Sequence, residues 1–286
     1  ENGEKRAALA MARVLTEGAW GQKVDCTGAR PFALQAAAAG EHEAEALLDD
    51  IDQGACAQGE RWAEVRRGLA RTWRWTEPLV LGEGTSLKPD EKKVLNSQLR
   101  GVLKELVGQG VNAARCALAR MEIQDDPSAE LPPAAQLALL RQGAQAGALQ
   151  CMEMMYFYGR QQVFDELITA EEVAQWARRA AERGYTDALA QMGTFHAEGW
   201  GVPQDYQMAL MWRMLESLRK QTESSSLPGV LARLTPRQDS QVATRVTAFR
   251  EKHPAWAQTP PEWPLPSTAP SPVAALAEPF PPFEPG

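Results

Sequence analysis

No apolar run in this chain approaches the ~18 residues needed to cross a membrane. Histidine is scarce: His42, His196 and His253 lie on separate segments, so no set of convergent imidazoles is offered to a metal. There is no Gly-x-Ser-x-Gly elbow and no phosphate-cradling loop. The acidic group Asp49, Asp50 and Asp52 lacks the alternating ligands and glycine of a calcium loop, and it reads as a solvated helix end. Basic charge is also short. Thirty Lys and Arg stand against 37 Asp and Glu, a net charge of -7, which excludes non-specific binding to nucleic acid. β-branched runs are few, and no segment alternates apolar and polar residues with period two. These absences predict an all-α, non-catalytic chain with no cofactor and no metal.

Alanine and glycine, by contrast, are abundant, and their spacing is informative. Gly110, Gly147 and Gly184 are separated by 37 and 37 residues. Four positions beyond them stand Ala114, Cys151 and Ala188, and eight beyond stand Leu118, Met155 and Met192. The most complete unit runs from Glu171 to Lys220. Trp176, Ala180 and Ala181 share one side of a first helix, and Gly184 supplies a left-handed turn to end it. Ala188, Leu189, Met192, Gly193 and Phe195 give a second helix a close-packing face. Gly199 and Gly201 stop that helix, Pro203 starts the next, and Trp212 repeats the role of Trp176 after 36 residues. A helical hairpin repeated with a period in the thirties is the mark of an α-solenoid.

These residues resemble the Sel1-like repeat, a relative of the tetratricopeptide repeat. The resemblance rests on the tryptophan, the Ala-Ala-x-x-Gly turn, Ala188, and the loop Gly199-x-Gly201-Val202-Pro203-x-Asp205. The unit around Gly147 departs from the pattern: Leu139 replaces the tryptophan, and Gly159-Arg160-Gln161-Gln162 replaces the Gly-x-Gly loop.

The remaining segments follow in order. Lys5 to Leu15 predicts an amphipathic first helix, and Gly18 to Arg30 a loop holding Cys26. Pro31 opens a helix, and Phe32 to Ala39, Gly40, and Glu43 to Ile51 form an alanine-rich hairpin in register with the main unit. Arg61 to Trp75 has a buried stripe of Trp62, Val65, Leu69 and Trp73, with Arg67, Arg71 and Arg74 on another face. That face is either a solvated surface or a cationic strip for an acidic protein. A long loop to Lys88 precedes helices that resume at Pro89. Near the end come a short helix around Pro228 to Leu234 and a final helix capped by Thr235-Pro236, with Val242, Val246 and Phe249 facing inward. Residues 1–253 are thus expected to form the repeat body. Residues 254–286 form a proline-rich tail, extended or disordered, carrying Trp256, Trp263, Phe280 and Phe283. Strapping along the solenoid and presentation to a partner both remain open for it.

The four cysteines lack the spacing of a zinc site. Cys26 and Cys56 fall just outside the open ends of one hairpin, and Cys116 and Cys151 on equivalent second helices of neighbouring units. Two disulfides in an oxidising compartment is the reading taken, against four buried thiols in a cytosolic protein. The chain starts at Glu1, which fits a removed signal peptide or a trimmed chain.

Solenoids bind proteins along extended faces. The candidate contacts on the first helices are Arg141, Gln145, Gln175, Arg178 and Arg179, and Arg67 and Arg71 join them from the cationic strip. Trp75, Tyr156 and Trp200 are taken as loop aromatics able to anchor a partner, and Tyr158 as either an anchor or ordinary core. The resemblance implies a periplasmic protein. Several such family members are immunity proteins that bind and block a toxic effector, often a phospholipase delivered by type VI secretion. The alternative is a cell-envelope scaffold or regulatory adaptor.

Overall fold

The computed structural model describes residues 2–18, 22–39, 41–72, 88–124, 129–220 and 227–253. Among the described residues there are thirteen α-helices and no strand. In order they are α1 (Asn2–Glu17), α2 (Cys26–Ala38), α3 (His42–Asp52), α4 (Glu60–Thr72), α5 (Pro89–Gly108), α6 (Asn112–Gln124) and α7 (Pro133–Gln145). There follow α8 (Leu149–Arg160), α9 (Ala170–Glu182), α10 (Thr186–Glu198), α11 (Tyr206–Lys220), α12 (Leu227–Leu231) and α13 (Pro236–Lys252). From α4 to α11 each helix packs on the next, giving the all-α solenoid that the glycine spacing predicts.

Three hairpins turn where the pattern places them, while Gly40 of the α2–α3 hairpin lies outside the described residues. Gly110, Gly147 and Gly184 hold φ of +83°, +97° and +85°, a left-handed conformation in which a Cβ would be strained. Beyond them Ala114, Cys151, Ala188, Met155 and Met192 are sealed from solvent, so second helices approach closely at the small residues. Trp176 and Trp212 are both buried, which confirms their shared role. Gly201, at φ +66°, has the Ala170 carbonyl oxygen 2.2 Å from where a Cβ would stand, so the α10–α11 loop is pressed against the start of α9.

The departing unit turns the same way with different chemistry. Gln162, 37 residues before Gly199, takes φ +58°, and among the described residues it is the non-glycine in the left-handed region. An L side chain there costs about 1–2 kcal/mol, partly offset by the extra freedom a glycine would have in the unfolded chain. Gln162→Gly is therefore expected to stabilise the protein by about 0.5–1 kcal/mol and to raise Tm by roughly 1–4 °C, measured by thermal unfolding.

Two helix starts and one helix end differ from expectation. α2 begins at Cys26, where Asp25 caps the helix by accepting from the Gly28 N–H at 2.9 Å, so Cys26 is helical and Pro31 sits in the second turn. α11 begins at Tyr206 and not at Pro203, because the Asp205 carboxylate accepts from the N–H groups of Gln207 and Met208 at 2.9 and 3.1 Å. α12 covers Leu227–Leu231, shorter than the stretch to Leu234. The last helix is as expected: Thr235 and Gln238 form a reciprocal capping box, and Val242 and Val246 are buried. α13 lies alongside α11 in the same direction, with Gln207 near Gln238 and Gln241, and Trp212 meeting Phe249 edge-on at 5.1 Å.

Both cysteine pairs are disulfides, Cys26–Cys56 with Cα atoms 5.7 Å apart and Cys116–Cys151 at 5.0 Å. The second joins α6 to α8 in the core. Gly143 of α7 makes room for it, since a Cβ there would stand 2.2 Å from the Cys151 sulfur.

Candidate functional site

The first helices α5, α7 and α9 carry a basic residue every 37 positions: Lys104, Arg141 and Arg178. The first two reach forward one repeat. The Lys104 ammonium donates to Glu130, just before α7, at 2.5 Å. Arg141 forms a two-pronged pair with Glu172 in the first turn of α9, at 2.8 and 2.7 Å, and also donates to the Leu167 carbonyl oxygen. Arg141 accordingly holds Glu172 below the ordinary carboxylate range. Its role is to lock two repeats together, which leaves little of it for a partner. Among the described residues Arg178 has no equivalent carboxylate ahead of it; it pairs with Glu182 on its own helix at 2.9 Å and is 65% exposed. Beside it Arg179 lies over the Trp176 ring at 4.6 Å with its other face in solvent. Gln145 and Gln175 are exposed. Gln175, Arg178 and Arg179 therefore share the open side of α9.

The other candidates divide. Arg67 donates to the Glu17 carbonyl oxygen at the end of α1 and stands 3.7 Å from Glu60, so it ties α4 to α1. Arg71 falls in the last turn of α4, and Trp75 lies outside the described residues. Tyr156 is corrected: it is a mid-helix residue of α8, buried, not a loop aromatic, because the helix continues to Arg160. Burial, and then nearby carboxylates, push its hydroxyl well above the usual phenol range. Tyr158 is also core, receiving a hydrogen bond from the Gln124 side-chain amide at 3.1 Å. Trp200 is on the α10–α11 loop as expected, half-buried between Phe195 at 4.8 Å and the Arg160 guanidinium at 4.8 Å. His196 organises that loop, with its ring Nδ1 3.3 Å from the Pro203 carbonyl oxygen.

One feature of the repeat edge gave no periodic signal. α3 crosses the starts of three second helices, α6, α8 and α10, whose first residues Asn112, Leu149 and Thr186 recur every 37 positions. Gln53 accepts from the Asn112 side chain at 3.3 Å. Asp49 accepts from the Gln150 N–H at 3.0 Å, and Asp50 from the Gln150 side chain and from Arg66, both at 2.6 Å. Glu45 accepts from the Thr186 N–H and hydroxyl at 3.1 and 2.8 Å, with Arg219 at 3.4 Å. Glu45 and Asp49, four apart on α3, thus accept from the first-turn N–H groups of α10 and α8, where backbone N–H groups lack intrahelical partners and the helix dipole favours negative charge, while Gln53, the residue after α3, holds the first side chain of α6. Asp49 and Asp50 are consequently buried anchors, which corrects their reading as a solvated helix end; Asp52 alone is half-exposed, paired with Arg30.

Burial has a titration consequence. It raises the Asp49 carboxyl from 3.8 to about 6, against the opposing pull of two backbone N–H groups, and it raises Asp50 as well. The folded state then binds a proton that the unfolded state has released, so stability grows as pH falls from about 6 toward 4 and is lost as pH rises through about 6. For Asp49 alone this is roughly 3 kcal/mol. Urea unfolding between about pH 4.5 and 7.5 is expected to show this slope, and Asp49→Asn to flatten it. Glu130 and Glu172, held below the ordinary range by Lys104 and Arg141, act oppositely at lower pH.

Among the described residues no group of three or more His, Cys, Asp or Glu is placed to hold a metal ion, and no helix is long and apolar enough to cross a membrane. No protein-family model and no curated protein matches the chain. Its backbone is similar to the crystal structure of a protective antigen of uropathogenic Escherichia coli that displays an SLR (Sel1-like repeat) fold. The TM-score is 0.53 and the sequence identity 20%, over 89% of this chain and 55% of that one. The chain spans about half the length of that structure, and the likeness concerns the fold.

Proposed function

We propose that this chain is a non-catalytic protein-binding solenoid that serves as a periplasmic immunity protein. It binds a secreted toxic effector, such as a type VI phospholipase, stoichiometrically and blocks it. The observation that carries the reading is the division of the surface. α3 covers one edge of the array with its own carboxylates, while Gln175, Arg178 and Arg179 on α9 stay open, the two arginines without a forward partner among the described residues. Two disulfides support an oxidising compartment, and a stapled array suits a partner surface that is ordered before binding, which reduces the entropy lost on association.

The test is a pull-down from the native bacterium with the full chain as bait, read by mass spectrometry. Recovery of one secreted lipase at near-equal stoichiometry, inhibited by the purified chain, is the expected result. Arg178→Glu should then weaken the complex by about tenfold or more without altering the fold. Recovery of several resident envelope proteins and no toxin would replace immunity by the scaffold reading.

A further inference from the structure

The basic column on α5, α7 and α9 ends on a mismatch. Lys104 and Arg141 each find a carboxylate one repeat ahead, Glu130 and Glu172. Glu172 is the third residue of α9, and the third residue of α11 is Met208. Arg178 is nevertheless aimed as Arg141 is. Arg141 donates to the Leu167 carbonyl oxygen, in the connection that leads into α9. Arg178 lies close enough to the connection into α11 to act on His196, whose ring burial holds below the usual imidazole range with the Arg178 charge adding to the effect.

A second cation comes to Met208 from α13. Arg245 is exposed, its Nη1 stands 3.6 Å from the Met208 sulfur, and it has no carboxylate partner among the described residues. A thioether is only a weak acceptor and leaves that charge uncompensated. Close by, Arg233 lies over the Tyr206 ring at 5.2 Å, also without a described carboxylate. The acids at hand are engaged. Asp205 caps α11 through the N–H groups of Gln207 and Met208. Glu182 pairs with Arg178 in the Arg-before-Glu order, the less stabilising one along a helix. Within a chain of net charge -7, this is a local place for an anion.

We propose that the partner bound on the open side of α9 supplies the missing carboxylate, as an acidic protein segment whose Asp or Glu side chain seats over Met208 between Arg178 and Arg245. This rests on the reading of that side as a protein-binding face, and it adds the chemistry of what binds there. A carboxylate has two oxygens, one for each guanidinium, and the flexible thioether beneath packs on its methylene groups.

The probe is a short synthetic peptide of alternating Glu and Ala, compared at equal ionic strength with its Lys–Ala counterpart and with sodium phosphate. Binding is read from the Met208 methyl signal in NMR spectra of the full chain. The Glu peptide should shift that signal saturably, and the other two should not at the same concentration. Arg178→Gln and Arg245→Gln should each weaken the peptide by about fivefold, the scale of a lost charge-assisted hydrogen bond. Met208→Glu should provide within the chain the acid that the partner otherwise brings. The new carboxyl should titrate below the ordinary range, as Glu172 does, and the peptide should bind about tenfold more weakly or worse.

A Met208 signal unmoved by the Glu peptide, or moved equally by the Lys peptide or phosphate, would overturn the proposal. So would an affinity unchanged by Arg178→Gln or Arg245→Gln, or a new carboxyl at position 208 that titrates at or above the ordinary range. The pull-down fails separately: a toxin recovered while the peptide does not bind leaves immunity without this acid site. Envelope proteins recovered while the peptide binds replace immunity and keep the site.

Discussion

Glu45→Ala is expected to lower the stability of the protein by about 3–5 kcal/mol, the usual cost of removing one partner from a buried, hydrogen-bonded ion pair. Glu45 is 5% exposed and Arg219 only slightly more. The carboxylate serves both the N–H and the hydroxyl of Thr186, 141 residues away, and Arg219, 174 residues away. Alanine would leave the first N–H of α10 buried without this acceptor, and it would release α3 from the end of the array. The measurement is a urea midpoint together with hydrogen exchange. Exchange should quicken both in α3 and in the first turn of α10, two segments far apart in sequence. Glu45→Gln, which keeps an acceptor for Thr186 but loses the charge, should fall between alanine and the native chain. A loss of less than about 1 kcal/mol for alanine would mean that water replaces the carboxylate and that α3 is not held by its charge.

Removal of the Cys116–Cys151 disulfide is the second large effect. The bridge closes a loop with a sequence separation of 35, for which the chain-entropy account gives about 4 kcal/mol at 25 °C. Both sulfurs are buried where α6, α7 and α8 meet, with Gly143 leaving them space. The double variant Cys116→Ala, Cys151→Ala should therefore unfold about 8–15 °C below the native chain. Loss of the Cys26–Cys56 bridge, with a separation of 30, should cost a similar chain entropy. Its effect should be concentrated in α1 to α4, since that bridge ties the start of α2 to the turn after α3 and lies outside the largest core cluster. A reductant should bring the native protein toward the quadruple alanine variant and leave that variant unmoved. Equal stability of native and double variant would show that the helices alone position α6 against α8.

The face taken to be functional is open only in part, and the repeat explains which part. Lys104 and Arg141 meet Glu130 and Glu172 of the following repeat, so two members of the basic column are structural. Arg178 stands at the same register, but 36 residues on from Glu172 the chain has Met208. From residue types alone all three cations look equivalent; only the position of the next helix separates a joint between repeats from a surface.

The sequence by itself determined whatever depends on neighbours within about forty residues. The period of 37, the left-handed glycines, the small-residue face at Ala114, Cys151 and Ala188, the Thr235 cap and the pairing of cysteines on adjacent hairpins all follow from local spacing and backbone sterics. Small errors at helix starts arose where a side-chain cap, Asp25 or Asp205, outranked a nearby proline. Tertiary structure alone decided that α3 turns back across three helix starts. It likewise placed Asp49 and Asp50 inside and Tyr156 in the core. The physical reason is that a carboxylate on a helix has the same sequence surroundings whether it faces water or the bare N–H groups of a helix 100 residues away. Periodicity reveals which side of a helix is apolar, but the partner of a polar side is chosen by the fold.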